Sequence, residues 1–124
     1  MKAILVIDDF ATARLYHASL LRQLGHEAVE AGDGEEALAL TRNRVFDLIL
    51  LDLLMPRLTG AQFLQRLRGD PRYTSVPVLA VTSEKAAAAD STLDALGVSK
   101  ILVKPVLPAD LRRAVTQHLP ALSL

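Results

Sequence analysis

Three carboxylates stand at the ends of two apolar segments of this chain. Asp8 and Asp9 follow the run 3–7, and Asp52 follows the run 48–51. If both runs are neighbouring parallel strands, the three acids converge on one edge of the sheet. Carboxylates so close together are costly unless a cation neutralises them. The spacing therefore predicts metal-dependent chemistry at that edge, and oxygen ligands without histidine or cysteine favour Mg²⁺.

Hydroxyl and ammonium groups follow two further apolar segments. Thr82 and Ser83 end one run, and Lys104 with Pro105 ends another. A metal ion and Lys104 would neutralise a phosphoryl group, to which Thr82 and the backbone N–H of Ser83 would donate hydrogen bonds. Each residue alone has a plainer explanation, since Asp52 or Thr82 can cap a helix and a single lysine is usually solvated. Their joint occurrence indicates a phosphoryl-binding crevice.

Apolar, β-branched segments alternate with segments of helical periodicity along the chain. The predicted strands cover about residues 3–7, 26–31, 47–51, 76–81 and 99–103. The predicted helices cover about residues 11–24, 34–44, 59–68, 84–96 and 108–118. Gly25 and Gly97 stand where a helix would end in a left-handed residue, and Pro108 opens the last helix. This alternation predicts βαβ units and a parallel sheet that is covered on both faces.

The polarity of the strands predicts their order in the sheet. The first, third and fourth are nearly continuous apolar runs, as expected of strands buried on both faces. The second, 26–31, alternates polar and apolar residues and therefore suits an edge. With right-handed crossovers the order becomes 2-1-3-4-5, and the fold class is α/β, a flavodoxin-like doubly wound (βα)5 architecture. Its crevice lies beyond the carboxyl ends of the first and third strands, where the three acids stand.

Length and composition exclude several classes of protein. The 124 residues fit one domain, 1–124, and a formal net charge of zero gives no electrostatic footprint for direct nucleic-acid binding. The chain has no cysteine, so disulfides, thiolate zinc sites and cysteine nucleophiles are excluded. The N-terminal apolar run is too short for a signal peptide or a membrane span. We expect a soluble cytoplasmic protein that does not associate with membranes.

The chain resembles a response-regulator receiver domain of the CheY-like type over essentially its full length. Four groups of residues carry the resemblance, and each follows one of the predicted strands. They are Asp8-Asp9, Leu51-Asp52 with Met55-Pro56 and Gly60, Thr82-Ser83, and Lys104-Pro105. Taken together, these motifs are highly specific to that family.

The resemblance implies a role for each residue of the crevice. Asp52 would be the phosphoacceptor, which attacks the phosphorus of a phosphohistidine on a partner protein and forms an acyl phosphate. Asp9 and Asp52 would ligate Mg²⁺ through their side chains, and Leu54 would ligate it through its backbone carbonyl. Asp8 would hold a metal-bound water. Lys104 would pair with the acids at rest and with the phosphoryl oxygens afterwards.

The resemblance also implies a switch. Thr82 would be drawn inward once the phosphoryl group arrives, and Ser83 would help to bind that group. A cis peptide bond between Lys104 and Pro105 would fix the direction of the lysine. An aromatic switch residue is usual three positions before the lysine, but here the residue is Ile101, which has no hydroxyl and a smaller swing. We therefore expect the output to depend on movement of the segment that follows the fourth strand.

Leu54 is a second departure from the usual pattern. Many relatives carry a polar residue two positions after the phosphoacceptor, whereas an apolar side chain there would overhang the site and restrict the attacking water. We expect Leu54 to alter the lifetime of the phosphoryl group, in a direction that the sequence leaves open.

The leading interpretation is a single-domain response regulator without an output domain. It would receive its phosphoryl group from a sensor histidine kinase or a phosphotransfer protein and signal through altered protein–protein contacts. The output surface would comprise the fourth helix, the fifth strand and the fifth helix, where Ile101, Val106 and Leu107 would contact an unknown downstream protein. We expect a monomer or weak dimer that is phosphorylated and dephosphorylated at Asp52 and is not a turnover enzyme.

Two alternatives remain open. A Mg²⁺-dependent phosphohydrolase would share the sheet and the aspartyl nucleophile, but such enzymes commonly carry a second aspartate where this chain has Leu54. A phosphorylation-independent interaction module would keep the fold and lose the switch. Ile101 allows this second alternative, whereas the complete set of acids, threonine and lysine argues against it.

Overall fold

The computed structural model of the chain describes residues 2–83 and 91–119. The strands are β1 (Ala3–Ile7), β2 (Glu27–Ala31), β3 (Leu48–Asp52), β4 (Val78–Thr82) and β5 (Val98–Val103). The helices are α1 (Ala11–Gln23), α2 (Gly34–Asn43), α3 (Gly60–Arg68), α4 (Ser91–Ala95) and α5 (Pro108–His118), with a short 3-10 helix at Pro71–Tyr73. Of the predicted helix 84–96, residues 84–90 lie outside the described part. None of the helices within this part combines the length and apolar character needed to cross a bilayer.

The five strands are parallel and hydrogen-bonded in the order β2-β1-β3-β4-β5. The predicted flavodoxin-like α/β fold is therefore confirmed, including the place of the polar second strand at an edge. The pairings Ile7 with Leu51 and Asp52 with Val81 align the carboxyl ends of the three central strands. This alignment brings the segments that follow β1, β3 and β4 to one edge of the sheet.

Alternation along the strands divides the hydrophobic core into two layers. Even-numbered residues of β1 and β3 pack with α1 and α5, and these are Ile4, Val6, Leu48 and Leu50. Odd-numbered residues pack with α2, α3 and α4, and these are Leu5, Ile7, Ile49 and Leu51. Asp8 and Asp52 continue the even-numbered series. Their side chains therefore leave the sheet on the side of α1 and α5.

The ends of several helices follow the signals in the sequence. Gly25 after α1 has a φ of +89°, and Gly97 after α4 has a φ of +77°. Both are left-handed conformations that a side chain would strain, so glycine is required at these two positions. Asp33 caps α2 by accepting a hydrogen bond from the N–H of Glu36.

Arg68, the last residue of α3, joins two neighbouring connections. Its guanidinium donates to the carbonyl oxygens of Tyr73 (2.6 Å), Val76 (2.8 Å), Leu96 (3.0 Å) and Gly97 (3.1 Å). Burial lowers the pKa of Arg68, and the hydrogen bonds compensate for the lost hydration. The side chain therefore fixes the end of α4 and the start of β5 relative to α3.

Replacing Arg68 with methionine is expected to lower the free energy of unfolding by about 2–4 kcal/mol, because several carbonyl oxygens lose their donor at once. Arg66→Met is the matched control on the same helix. Arg66 forms an exposed ion pair with Glu35 at 3.0 Å, and its loss should cost less than about 1 kcal/mol. Urea unfolding followed by circular dichroism measures both variants. Equal destabilisation by the two substitutions would contradict the bridging role of Arg68.

Candidate functional site

The three acids predicted to form the site lie together in the structure. Asp8 and Asp9 follow β1 and Asp52 ends β3, and these adjacent strands place one carboxylate oxygen of each acid within 4.8 Å of the others. Asp8 is 2 % exposed and Asp52 is 5 % exposed, whereas Asp9 is exposed. Two carboxylates are thus enclosed by protein, and the third lies at the surface.

Each buried carboxylate has one oxygen held by a backbone N–H and one that faces a lysine. Asp8 Oδ1 accepts from the N–H of Phe10 at 2.9 Å, and Asp52 Oδ1 accepts from the N–H of Leu54 at 3.1 Å. The Oδ2 atoms of Asp8 and Asp52 lie 3.3 Å and 3.5 Å from Lys104 Nζ. One ammonium group therefore faces two buried carboxylates, and a net negative charge is left over.

The pKa of Asp52 reflects its burial and the charges around it. It is raised to about 6, chiefly by burial, with the charge of Asp8 acting in the same direction. The N–H of Leu54 and the charge of Lys104 act in the opposite direction without cancelling the effect. A divalent cation among these carboxylates would supply the missing positive charge. The available ligand atoms are carboxylate oxygens, so the residues fit Mg²⁺.

Lys104 is directed at the acids by the backbone around it. Its N–H donates to the carbonyl oxygen of Thr82 at 2.7 Å, which extends the pairing of β5 with β4 by one residue. The peptide bond between Lys104 and Pro105 is cis. The lysine side chain is 27 % exposed, so a ligand that approaches from solvent can reach its ammonium group.

Thr82 and Ser83 lie at the end of β4, on the other side of the crevice. Thr82 is 1 % exposed and Ser83 is exposed. Ile101 is half-buried, packs in the layer of α2, α3 and α4, and pairs in register with Ala80. Thr82 is two residues after Ala80, so Thr82 and Ile101 share this layer. Asp8 and Asp52 leave the sheet from its opposite face, but they stand at the same carboxyl edge as Thr82.

The loop from β3 to α3 forms one rim of the site. Leu54 is 50 % exposed next to Asp52, while Met55 is buried in the core. At Gly60, the first residue of α3, a Cβ would lie 2.8 Å from the Cα of Leu53. This close approach requires glycine and keeps the loop folded against the end of β3.

Sequence reasoning missed an apolar groove beside the site. The groove has a volume of about 500 Å³ and lies between the start of α1 and the connection from β5 to α5. Its walls include Tyr16 and Pro105, together with Phe10 and Leu107, which are 63 % and 60 % exposed. Lys104 belongs to both the groove and the acidic site. Apolar residue types predict burial, so the sequence carries no signal that these side chains stay uncovered.

The expected output surface is corrected at two positions. The sequence predicts contacts from Val106 there; this residue lines a cavity on that surface, but it is buried in the layer of α1 and α5 and offers little area for contact. Leu107 is exposed, but it lies in the groove beside α1. Ile101 lines a cavity of about 250 Å³ on this surface with Lys100 and Arg113. The surface is therefore more polar than the sequence indicates.

The chain is similar to known receiver domains in sequence and in structure. The sequence model of the response regulator receiver domain family matches residues 4–116. The chemotaxis protein CheY of Pseudomonas aeruginosa is 41 % identical over 105 residues, which cover 82 % of this chain and 83 % of that protein. A gliding motility regulatory protein of Myxococcus xanthus is 40 % identical over 80 residues, 64 % of this chain but only 10 % of that much longer protein.

A solved structure shows the same relationship in three dimensions. The chemotaxis response regulator CheY4 of Vibrio cholerae superposes with a TM-score of 0.91 at 33 % identity. The superposition covers 96 % of this chain and 99 % of that one. With the sheet order, the acidic cluster and the family match in agreement, the chain belongs to the CheY-like response regulator receiver domain family.

Proposed function

We propose that this domain acts in the cytoplasm as a response-regulator receiver that accepts a phosphoryl group on Asp52. The donor would be a phosphohistidine on a sensor histidine kinase or a phosphotransfer protein. The observation that carries this proposal is the shared contact of Lys104 Nζ with two buried carboxylates, Asp8 and Asp52. The net negative charge of the site favours a divalent cation, and the cation with Lys104 favours a phosphoryl group.

In the proposed reaction a carboxylate oxygen of Asp52 forms a bond to phosphorus as the phosphorus–nitrogen bond of the phosphohistidine breaks. The electron pair of that bond stays on the imidazole nitrogen, which is protonated as the donor leaves. With a pKa of about 6, Asp52 is mostly ionised at neutral pH and can act as the nucleophile. The N–H of Leu54 holds its Oδ1, and Lys104 would stabilise charge on the phosphoryl oxygens.

The proposed reaction depends on Mg²⁺. Asp8, Asp9 and Asp52 would hold the ion together with the backbone carbonyl of Leu54. When bound, the ion supplies positive charge that neutralises the phosphoryl oxygens. The geometry supports this assignment, because the single ammonium group of Lys104 faces two buried carboxylates.

We propose that the domain is not a turnover enzyme. An aspartyl phosphohydrolase commonly carries a second aspartate two residues after its nucleophile, and this chain has Leu54 there. Leu54 is 50 % exposed at the rim, where water must approach an acyl phosphate on Asp52. It is therefore proposed to alter the lifetime of the phosphoryl group.

Signal output is proposed to begin at Thr82 and Ser83. The hydroxyl of Thr82 and the backbone N–H of Ser83 would contact the phosphoryl group, and Ile101 would adjust in the same layer as Thr82. The surface formed by α4, β5 and α5 would carry the change to a downstream protein. Lys100, Asp110 and Arg113 line the cavity there, with Asp110 3.7 Å from Arg113, and they favour a partner that offers polar as well as apolar contacts.

The apolar groove beside Lys104 is proposed to dock the phosphodonor. It is continuous with the acidic site through Lys104, so a protein seated in it would reach Asp52. The exposed side chains of Phe10 and Leu107 offer the kind of apolar surface that an amphipathic helix covers.

The double substitution Phe10→Ala with Leu107→Ala is expected to slow phosphotransfer from a cognate donor protein at least about tenfold. Uptake from acetyl phosphate should be unchanged, because a small donor needs no docking surface. Val45→Ala is the control, since Val45 is 49 % exposed at the opposite end of the sheet. Radiolabel transfer from both donors gives the two rates. Equal losses with both donors would indicate a damaged site and contradict docking in the groove.

Beryllofluoride with Mg²⁺ tests the proposed function directly. This phosphoryl analogue should shift the amide signals of the segments after β1, β3 and β4, and Asp52→Asn should abolish the shifts. An unchanged spectrum of the wild type would refute the switch and favour a phosphorylation-independent module. Repeated turnover of a phosphomonoester would instead favour a phosphohydrolase.

A further inference from the structure

Arg14 on α1 holds the backbone of the turn that carries the acids. Its Nη1 donates to the carbonyl oxygen of Asp8 at 2.7 Å. This carbonyl belongs to the turn between β1 and α1, where the N–H of Phe10 donates to Asp8 Oδ1. On the other side of the turn, the N–H of Asp8 donates to the carbonyl oxygen of Ala31 at the end of β2. The position of the Asp8 carboxylate thus depends on contacts of the Asp8 backbone, with Arg14 and with Ala31.

Glu30 on β2 holds Arg14 in this orientation. Arg14 Nε lies 3.3 Å from Glu30 Oε1, and Arg22 Nη2 lies 3.3 Å from Glu30 Oε2. Arg22 is itself tied to β2 through the carbonyl oxygen of Ala28, at 2.9 Å. The side chains of Arg14 and Glu30 are only 21 % and 28 % exposed, so this pair is more ordered than a solvated surface pair.

The two bonds of Arg14 keep its charge at the backbone of the turn. The guanidinium reaches a carbonyl oxygen of the turn, and among the described residues its ion-pair partner is Glu30 rather than Asp8, Asp9 or Asp52. A guanidinium released by Glu30 would be free to pair with those carboxylates and would compete with a cation for them. The contact with Glu30 therefore helps to keep the charge of Arg14 at the backbone of the turn.

We propose that Arg14, anchored by Glu30, is a positioning residue that sets the affinity of the acidic cluster for a divalent cation. The inference rests on the proposed Mg²⁺ site, and it assigns a role to two residues that lie outside that site.

Two substitutions test the inference without removing any acid of the cluster. Arg14→Lys keeps the charge but cannot reach Glu30 and the Asp8 carbonyl together. Glu30→Gln keeps Arg14 but weakens its anchor. Both should raise the dissociation constant for Mg²⁺ roughly tenfold, as loss of an outer-shell contact typically does. Titration of the amide spectrum with Mg²⁺ measures the constant, and exchange of the Phe10 amide hydrogen should become faster without metal.

Glu27→Gln is the matched control. Glu27 lies on the same strand and pairs with Arg44 at 2.8 Å, so it undergoes the same change of charge in the same kind of ion pair. It should leave both the Mg²⁺ affinity and the exchange of the Phe10 amide unchanged. Arg14→Lys and Glu30→Gln proteins that bind Mg²⁺ like the wild type would overturn the inference. A wild type that fails to bind Mg²⁺ would overturn the proposed function itself, so the two failures are distinguishable.

Discussion

Asp52→Asn is expected to abolish phosphoryl uptake, with a loss of rate on the order of a thousandfold or more. An amide is a poor nucleophile and cannot form the acyl phosphate, although it retains the shape of the side chain. The variant should fold, because Asn can still accept the hydrogen bond from the N–H of Leu54. Incubation with acetyl phosphate and Mg²⁺, followed by intact-mass measurement, gives the fraction phosphorylated.

Asp47→Asn is the control for this result. Asp47 precedes the same strand at its opposite end, where its Oδ2 accepts a hydrogen bond from the N–H of Ala3 at 2.8 Å. Uptake by this variant should match that of the wild type. An Asp52→Asn protein that gains the mass of a phosphoryl group at the wild-type rate would show that the acceptor is another residue.

Asp52→Asn is also expected to stabilise the metal-free protein above about pH 6. The pKa of Asp52 is about 6 in the folded protein, whereas its ordinary value is 3.8. Between pH 3.8 and about pH 6 the folded state binds more protons than the unfolded state, so the free energy of unfolding falls as the pH rises. Above about pH 6 the wild type is therefore less stable by about 2–3 kcal/mol than it would be without this shift. Asparagine cannot ionise, so the variant lacks this fall.

The measurement is the difference in free energy of unfolding between the two proteins, from urea titrations with a chelator at about pH 4 to about pH 7.5. Burial lowers the pKa of His17, which acts in the opposite direction, but this contribution is common to both proteins and cancels in the difference. Added Mg²⁺ should stabilise the wild type more than the variant, because the ion neutralises the same carboxylates. A difference that is independent of pH would contradict the raised pKa of Asp52.

The placement of the acids could be predicted because the strands are short, continuous apolar runs. A buried strand ends where its run ends, so Asp52 must emerge at an edge, and the winding order makes Asp8 its neighbour. The approach of Lys104 to both acids follows from the same topology, although the lysine is distant in sequence.

The surroundings of the site could not be predicted in the same way. Phe10 and Val106 are both apolar, yet Phe10 is exposed and Val106 is buried. The exposure of each side chain depends on which neighbouring elements cover it. The role of Arg14 is equally hidden, since its partner is a backbone carbonyl of another element, and every residue has a carbonyl. Such contacts depend on three-dimensional packing that neither residue type nor spacing encodes.

The separation of the apolar groove and Ile101 onto opposite sides of the sheet has a consequence for how such proteins could diversify. The apolar groove lies beside α1 and α5, whereas Ile101 packs in the layer of α2, α3 and α4. Substitutions of the exposed groove residues Phe10 and Leu107 and of Ile101 therefore change side chains in different layers, and their effects should add. After gene duplication, one copy could therefore change its specificity for the phosphodonor and keep its specificity for the downstream partner. The opposite change could occur equally well, so unwanted contacts with either partner could be lost separately.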